Sequence, residues 1–158
     1  MDSFFLSYNY EPILQLIIAL VLGSLIGIER SIAGKTAGMR TFALVSLGAT
    51  LFVIIARILT SNYLGPNDAD AILRVVASIV SGIGFIGAGL IIFGNQEVRG
   101  LTTAAGLWVS AAIGVAVGMG FYIISTVAVL LTLFTLRVLY SFEEKAKEFT
   151  HVKDNQIK

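Results

Sequence analysis

The amino-acid sequence predicts an all-α membrane protein, a polytopic bundle of about five transmembrane helices with the N-terminus outside and the C-terminus in the cytoplasm. Its 158 residues are 56% hydrophobic and only 13% charged, with a mean hydropathy of +0.88. A soluble core of this length could not bury so much apolar surface. The apolar residues also form long runs, which are typical of helices that cross a bilayer. Residues 1–140 are therefore expected to form a transmembrane domain, and residues 141–158 a short polar cytoplasmic tail.

The first predicted helix is the apolar run from Pro12 to Ile28. Proline suits the start of a helix, because the amide hydrogen that it lacks would have no partner there. A signal peptide is the competing interpretation. However, no Lys or Arg precedes the run, and Glu29-Arg30 follows where a small-residue cleavage site would be needed. We therefore expect a permanent transmembrane helix.

Four further helices follow from the remaining apolar runs. The second and third extend from Thr41 to Thr60 and from Ile72 to Phe93, and the linker between them is rich in turn-forming residues. No charged residue lies between Leu101 and Leu136. One helix over that range would be about 54 Å long, which suits two membrane passes. Gly118-Met119-Gly120 is the expected turn, and the fifth helix is predicted from Phe121 to Tyr140.

Loop charges orient the predicted bundle, because the cytoplasmic loops of membrane proteins are enriched in Lys and Arg. Five passes place Arg57 and Arg74 on one side of the membrane. The other nine of the 11 basic residues are Arg30, Lys35, Arg40, Arg99, Arg137, Lys145, Lys147, Lys153 and Lys158. The side with nine is expected to face the cytoplasm, which predicts insertion into a bacterial inner membrane.

Small residues at regular spacing predict which helices pack together, since close approach drives helix association in lipid. They are Ala19, Gly23 and Gly27 in the first helix, Ser78, Gly82, Gly84, Gly87, Ala88 and Gly89 in the third, and Gly106, Ser110, Gly114 and Gly118 in the fourth. We expect a core of helices one, three and four, with the glycine-free fifth helix facing the lipid. A second interpretation of the third helix is that it unwinds around its glycines and lines a cavity.

Composition also disfavours several classes of function. A net charge of +1 provides no basic field for nucleic acid. The chain has no cysteine and one histidine, His151, which argues against disulfides, thiolate metal sites and histidine-based catalysis. Gly82, Gly84 and Gly87 match a dinucleotide-binding pattern, but the apolar run continues where an amphipathic helix should begin. We therefore expect no enzymatic activity and no cofactor.

Most of the informative polar residues lie at the predicted cytoplasmic boundary. They are Glu29, Arg30, Lys35, Arg40 and Thr41 in the first inner loop, and Asn95, Glu97, Arg99, Thr102 and Thr103 in the second. We expect Glu29 to pair with Arg40 or Arg99, and Thr102 or Thr103 to cap the fourth helix. Two interpretations stay open. These residues either anchor the loops to lipid head groups, or form a shallow pocket for an anion, a lipid head group or the carboxylate of a partner.

Two functions are compatible with these features. The first is a regulatory protein whose small-residue faces dock on a second copy or on another membrane protein. The second is a transporter or channel for Mg²⁺ or another small ion. Mg²⁺ requires oxygen ligands, yet the predicted spans contain no acidic residue at depth. Carbonyl groups of an unwound third helix would have to replace them, and the metal ligands cannot be assigned.

Four segments resemble the MgtC/SapB family of bacterial membrane proteins. They are LGSLIGIER (Leu22–Arg30), AGMRTFALVSLGA (Ala37–Ala49), VSGIGFIGAGLI (Val80–Ile91) and VRGLTTAAGLWVSAAIGVAVG (Val98–Gly118). The resemblance covers about the first 140 residues in order. Longer members add a soluble C-terminal domain, so the chain is expected to represent the membrane domain alone.

The resemblance implies an inner-membrane protein associated with growth under magnesium limitation and, in pathogens, with survival in macrophages. Members are thought to act on other membrane machinery, such as the F-type ATP synthase or phosphate uptake, rather than to carry Mg²⁺. The family pattern points to Glu29, Arg30, Gly38, Arg40, Thr41, Gly82, Gly84, Gly87, Gly89, Arg99, Gly100, Thr102, Thr103 and Trp108. Related sequences can differ at Thr102, Gly106 and Val109, so the partner can differ too. We expect a homodimer or another homo-oligomer.

Overall fold

A computed structural model describes residues 10–64, 69–94 and 97–139 of the chain. It contains five helices that are long and apolar enough to cross a membrane, which confirms the predicted fold class. The α-helical parts of these spans are α1 (Glu11–Ile32), α2 (Met39–Leu59), α3 (Ala69–Leu90), α4 (Leu101–Gly118) and α5 (Tyr122–Phe134), and the fifth span continues to Leu139. A π-helical turn follows α2 at Thr60–Leu64, and another follows α5 at Thr135–Leu139. The predicted tail and Asn95 lie outside the described residues, and the orientation of the termini stays a prediction.

The main difference from the predicted boundaries lies between α3 and α4. The third helix ends at Leu90 rather than at Phe93, and the chain then forms an antiparallel hairpin of β1 (Ile92–Gly94) and β2 (Glu97–Arg99). Gly100 leads from β2 into α4 with a φ of +91°, a conformation that favours glycine. A Cβ atom at this position would also collide with the carbonyl oxygen of Leu90. This glycine therefore allows the hairpin to close against the end of α3.

The core of the bundle is α2, which lies between α1 and α4. A Cβ atom on Gly23 of α1 would lie 2.7 Å from the carbonyl oxygen of Phe42, and one on Gly118 of α4 would lie 2.8 Å from Val53 Cβ. A Cβ atom on Gly114 would collide with the Ser46 carbonyl oxygen. The close approach predicted for the glycines of α1 and α4 is therefore confirmed, and α2 is the helix that they approach.

Hydroxyl groups strengthen the contact between α2 and α4. The Thr50 hydroxyl donates to the carbonyl oxygen of Gly114 at 2.7 Å, and the Ser110 hydroxyl donates to the carbonyl oxygen of Phe42 at 2.9 Å. Both hydroxyl-bearing side chains are fully buried. These bonds between helices become available because glycine and serine let the two backbones come close.

The predicted core of helices one, three and four is wrong in one respect, because α3 is peripheral and α2 is central. Only 11% of the residues in the most apolar 18-residue stretch of the α3 span are buried, against 44% for the α2 span. Glycine spacing identifies the concave face of a contact but not the side chains that enter it. Here Phe42 and Val53 of α2 supply those side chains. The α5 helix is also 11% buried, as its predicted lipid-facing position requires.

The α3 helix is continuous from Ala69 to Leu90, so the predicted alternative of an unwound third helix is wrong. The helix runs unbroken through Gly82, Gly84, Gly87 and Gly89, so no lost backbone partner has to be replaced. Its glycines are also not used for internal packing in the way we expected. Cβ atoms on Gly82, Gly84 and Gly89 would meet nothing within 4 Å, and only Gly87 faces a neighbour, Ala104 of α4.

Candidate functional site

The predicted polar cluster lies at one end of the bundle, formed by residues 29–41 and 91–103, which we call the hairpin end. Here Arg30 is buried at the last turn of α1, where the helix dipole favours a cation. Its Nε atom donates to one carboxylate oxygen of Glu29, and its Nη2 atom donates to the other at 2.6 Å. The exposed fractions of the two side chains are 4% and 14%. The charge of Arg30 is thus compensated locally.

A second ion pair lies on the hairpin. Arg99 Nη2 donates to Glu97 Oε2 at 3.2 Å, and these side chains are 77% and 67% exposed. The predicted pairing of Glu29 with Arg40 or Arg99 is therefore wrong. Each acid instead binds the arginine nearest to it in the sequence. Arg30 is buried and needs a counter-charge close by. Glu97 and Arg99 are two residues apart in one strand, so their side chains lie on the same face.

The predicted threonine cap of α4 is also wrong. Gly100 occupies the N-cap position without a side-chain hydrogen bond, and Thr102 and Thr103 lie inside the first turn of the helix. Thr102 is exposed and Thr103 is buried. Because Gly100 is the N-cap residue, Thr102 and Thr103 lie two and three positions too late in the chain to cap the helix.

A groove between α2 and α3 has a volume of about 750 Å³. We call it the α2–α3 groove. Arg40 and Thr41 lie at its hairpin end, and Arg74 lies toward its other end. Between them the walls are almost entirely apolar, and Gly48 and Gly82 face open space on its two sides. The groove exists because α3 packs on α4 and leaves α2 uncovered along this face.

Arg40 differs from the other two arginines of the hairpin end in having no internal partner. It forms no hydrogen bond or ion pair with any residue in the described ranges, and neither does Arg74. Arg40 also borders a second cavity of about 470 Å³, together with Ser31, Gly38, Met39 and Thr41. Arg99 lines neither of these two cavities, and a pocket shared by Arg40 and Arg99 stays a prediction.

A polar site at the opposite end of the bundle was not predicted. Gln15 of α1 is only 1% exposed, and its side-chain nitrogen donates to Tyr122 Oη at 3.2 Å and to Glu11 Oε1 at 3.3 Å. With Arg57 and Ser61 it lines a cavity of about 240 Å³. The signal in the sequence was an amide within an otherwise apolar run, four residues after an acid. In the part of the chain that the structure describes, no group of three or more acids or histidines could hold a metal ion.

Comparison with known proteins identifies the family. The sequence profile of the MgtC family matches residues 16–145. This chain belongs to the MgtC family. The match includes all of α2, α3 and α4, and therefore the hairpin end and both walls of the α2–α3 groove. The resemblance seen in the sequence segments is thereby confirmed.

This MgtC-family chain is similar to three proteins described here. It is 40% identical over 135 residues to a protein named putative magnesium transporter YhiD from Escherichia coli, which covers 82% of this chain and 61% of YhiD. It is 47% identical over 120 residues to MgtC of Salmonella typhimurium, covering 76% and 48% of the two chains. Protein SrpB of Synechococcus elongatus is 38% identical over 130 residues, with coverage of 77% and 71%.

The MgtC-family chain thus spans about half of MgtC and about three fifths of YhiD. The shared region is the membrane bundle, which is where the described helices lie. No solved structure matches the chain significantly.

Proposed function

We propose that the protein serves in adaptation to magnesium limitation and acts by binding another membrane protein of the bacterial inner membrane, rather than by conducting Mg²⁺ through its own core. The link to magnesium is supported by the name of its relative YhiD, a putative magnesium transporter, and by the family resemblance. The partner would be a membrane machine of the type that the resemblance implies, such as an ATP synthase or a transporter. No catalytic step is part of this proposal.

The observation that carries the proposal is an outward-facing strip of small residues on α3. Ala77, Ser81, Gly84 and Ala88 recur at intervals of four, three and four residues, which places them on one helix face. All four are exposed, so the described residues do not cover them. Small residues on a membrane helix allow another helix to approach closely. The strip therefore suits a transmembrane helix of a partner.

The interior supports a binding role over an ion path. Ile26, Phe42, Val53, Leu107 and Val117 are fully buried and fill the space between α1, α2 and α4. An Mg²⁺ ion gives up its water only to several oxygen ligands. The walls of the α2–α3 groove are almost entirely apolar between Arg40 and Arg74 and supply no such set of oxygen ligands.

The test is growth in low magnesium by a deletion strain that carries Ser81→Leu or Gly84→Leu. A Cβ atom at Gly84 meets nothing within 4 Å, so this variant should fold and insert normally. Ala112→Leu is a matched control, because Ala112 is exposed on a different helix. We expect the two strip variants to lose growth at normal protein levels while the control grows. Full growth of both strip variants would refute the proposal.

Transport of Mg²⁺ is the second candidate, and the name of YhiD is the observation in its favour. It can be tested with proteoliposomes that enclose a magnesium-sensitive dye. Uptake above empty vesicles that Gly82→Leu abolishes would support transport along the α2–α3 groove, since Gly82 lines it. Absence of uptake by folded, inserted protein would leave the binding role as the proposed function.

A further inference from the structure

We propose that the α2–α3 groove is a binding site for an anionic phospholipid, with the lipid phosphate on Arg40 and an acyl chain along the groove. This proposal does not depend on the strip of small residues on α3 described above, which lies on a different face of that helix. Gly82 and Ser78 line the groove, whereas Gly84 and Ser81 do not. The two sites can therefore be altered separately.

The shape and chemistry of the groove fit the amphipathic structure of a lipid. From Arg40 to Phe52 the α2 wall rises about 18 Å, close to the depth of one leaflet, which is about half of a hydrocarbon core of roughly 30 Å. Leu44, Phe52 and Ile86 are exposed along the walls, so apolar surface is available for an acyl chain. The acyl chain would take the place of bulk lipid along a protein surface that the described residues leave exposed.

The hairpin end of the groove fits a phosphate group. Arg40 and Thr41 border both the groove and the second cavity, so they lie where an acyl region meets a head-group region. No acidic residue is among those that line the second cavity, whereas Ser31 and Thr41 contribute hydroxyl groups. Arginine binds phosphate through two parallel hydrogen bonds. An anionic head group therefore finds donors here and no competing carboxylate.

The charge balance favours a lipid over a second copy of this chain. Within the described residues the acids of the hairpin end are Glu29 and Glu97, and both are engaged in ion pairs with arginines of their own chain. From the described part of its hairpin end, a second copy would bring the same two engaged acids, which offer Arg40 no free counter-charge. Anionic lipids of the surrounding leaflet supply that charge at the correct depth.

The proposal can be tested with the purified full chain in detergent by native mass spectrometry and thermal melting. The probes are phosphatidylglycerol, phosphatidylcholine with the same acyl chains, and inorganic phosphate. We expect phosphatidylglycerol to be retained and to raise the melting temperature, and the other two probes to have much weaker effects. Equal effects of the two lipids would contradict recognition of the head group, and a full effect of inorganic phosphate would contradict the role of the acyl groove.

Matched variants separate the two halves of the site. Arg40→Gln and Gly82→Leu should each weaken phosphatidylglycerol binding about tenfold, the first by removing a charged hydrogen bond and the second by filling the groove. Arg99→Gln and Gly84→Leu change the same residue types outside the groove and should bind as the unaltered chain does. If Arg40→Gln fails to fold, the comparison of Gly82→Leu with Gly84→Leu still tests whether the lipid occupies the groove.

Two results would overturn the proposal. One is unchanged lipid binding by both groove variants when they are folded. The other is a stable dimer that Gly82→Leu dissociates and that excludes phosphatidylglycerol, because the groove would then be an interface between copies of the chain.

Discussion

The glycines of α4 and those of α3 have opposite surroundings. A single carbon added at Gly114 would collide with the α2 backbone at Ser46, and one added at Gly118 would lie 2.8 Å from Val53 Cβ of α2. Gly82 and Gly84 face open space. The two ion pairs of the hairpin end differ in the same way, since Glu29–Arg30 is buried and Glu97–Arg99 is exposed. The comparison indicates that α1, α2 and α4 stabilise the bundle, whereas α3 and the hairpin provide surfaces for other molecules.

The largest effect should come from the buried ion pair. Glu29→Gln leaves the buried guanidinium of Arg30 without a counter-charge, and we expect a loss of on the order of 3 kcal/mol in the free energy of unfolding. Glu97→Gln in the exposed pair should cost less than about 1 kcal/mol. Unfolding in mixed micelles with increasing SDS would measure both. Similar losses in the two variants would contradict the division into a stabilising core and a surface.

The second effect concerns the two sets of glycines. Gly114→Ala should destabilise the bundle by about 1–3 kcal/mol, because its new carbon meets the Ser46 backbone, which cannot move without shifting α2. Gly84→Ala should leave stability unchanged or slightly raised, since alanine favours a helix and nothing opposes it. Melting temperatures from size-exclusion chromatography after heating would distinguish them. A melting temperature for Gly84→Ala as low as that for Gly114→Ala would mean that α3 is packed more tightly than described.

The smallest effect should come from a single hydroxyl group. Thr50→Val preserves shape but removes the bond to Gly114, and should cost about 0.6 kcal/mol. Thr126→Val is the control, because the exposed Thr126 hydroxyl bonds only within its own helix, to the Tyr122 carbonyl oxygen. Its unfolding free energy should match that of the unaltered chain in the same SDS titration. A larger loss for Thr126→Val would argue that α5 contributes to the core.

Much of the fold follows from properties that a linear sequence displays. Hydropathy identified the five spans, and the turn at Gly118-Met119-Gly120 is confirmed, with Gly120 at a φ of +83°. Spacing of small residues identified the α4 face that contacts α2. These succeed because span length and close packing depend on residues near one another in the chain.

The central position of α2 and the geometry of the polar cluster could not be obtained in that way. The side chains of Phe42 and Val53 pack against Gly106 and Gly118 of α4, and this matching depends on how the helices are arranged. Similarly, Arg40 and Arg30 look equivalent in the sequence, but in the fold Arg30 is buried and paired with Glu29, whereas Arg40 is exposed. The α2–α3 groove likewise depends on the gap between two helices, which the spacing of residues in the sequence does not show.

The length of α4 has a consequence for how the bundle sits in a bilayer. It contains 18 residues, about 27 Å, whereas α1 and α3 contain 22 residues each, about 33 Å. The most central partner of α2 is thus shorter than the hydrocarbon thickness, a hydrophobic mismatch that lipid would otherwise have to absorb by thinning. Each end of α4 instead contacts other parts of the protein. Gly100 joins the hairpin to one end, and Arg57 donates to the Gly118 carbonyl oxygen at 2.8 Å at the other.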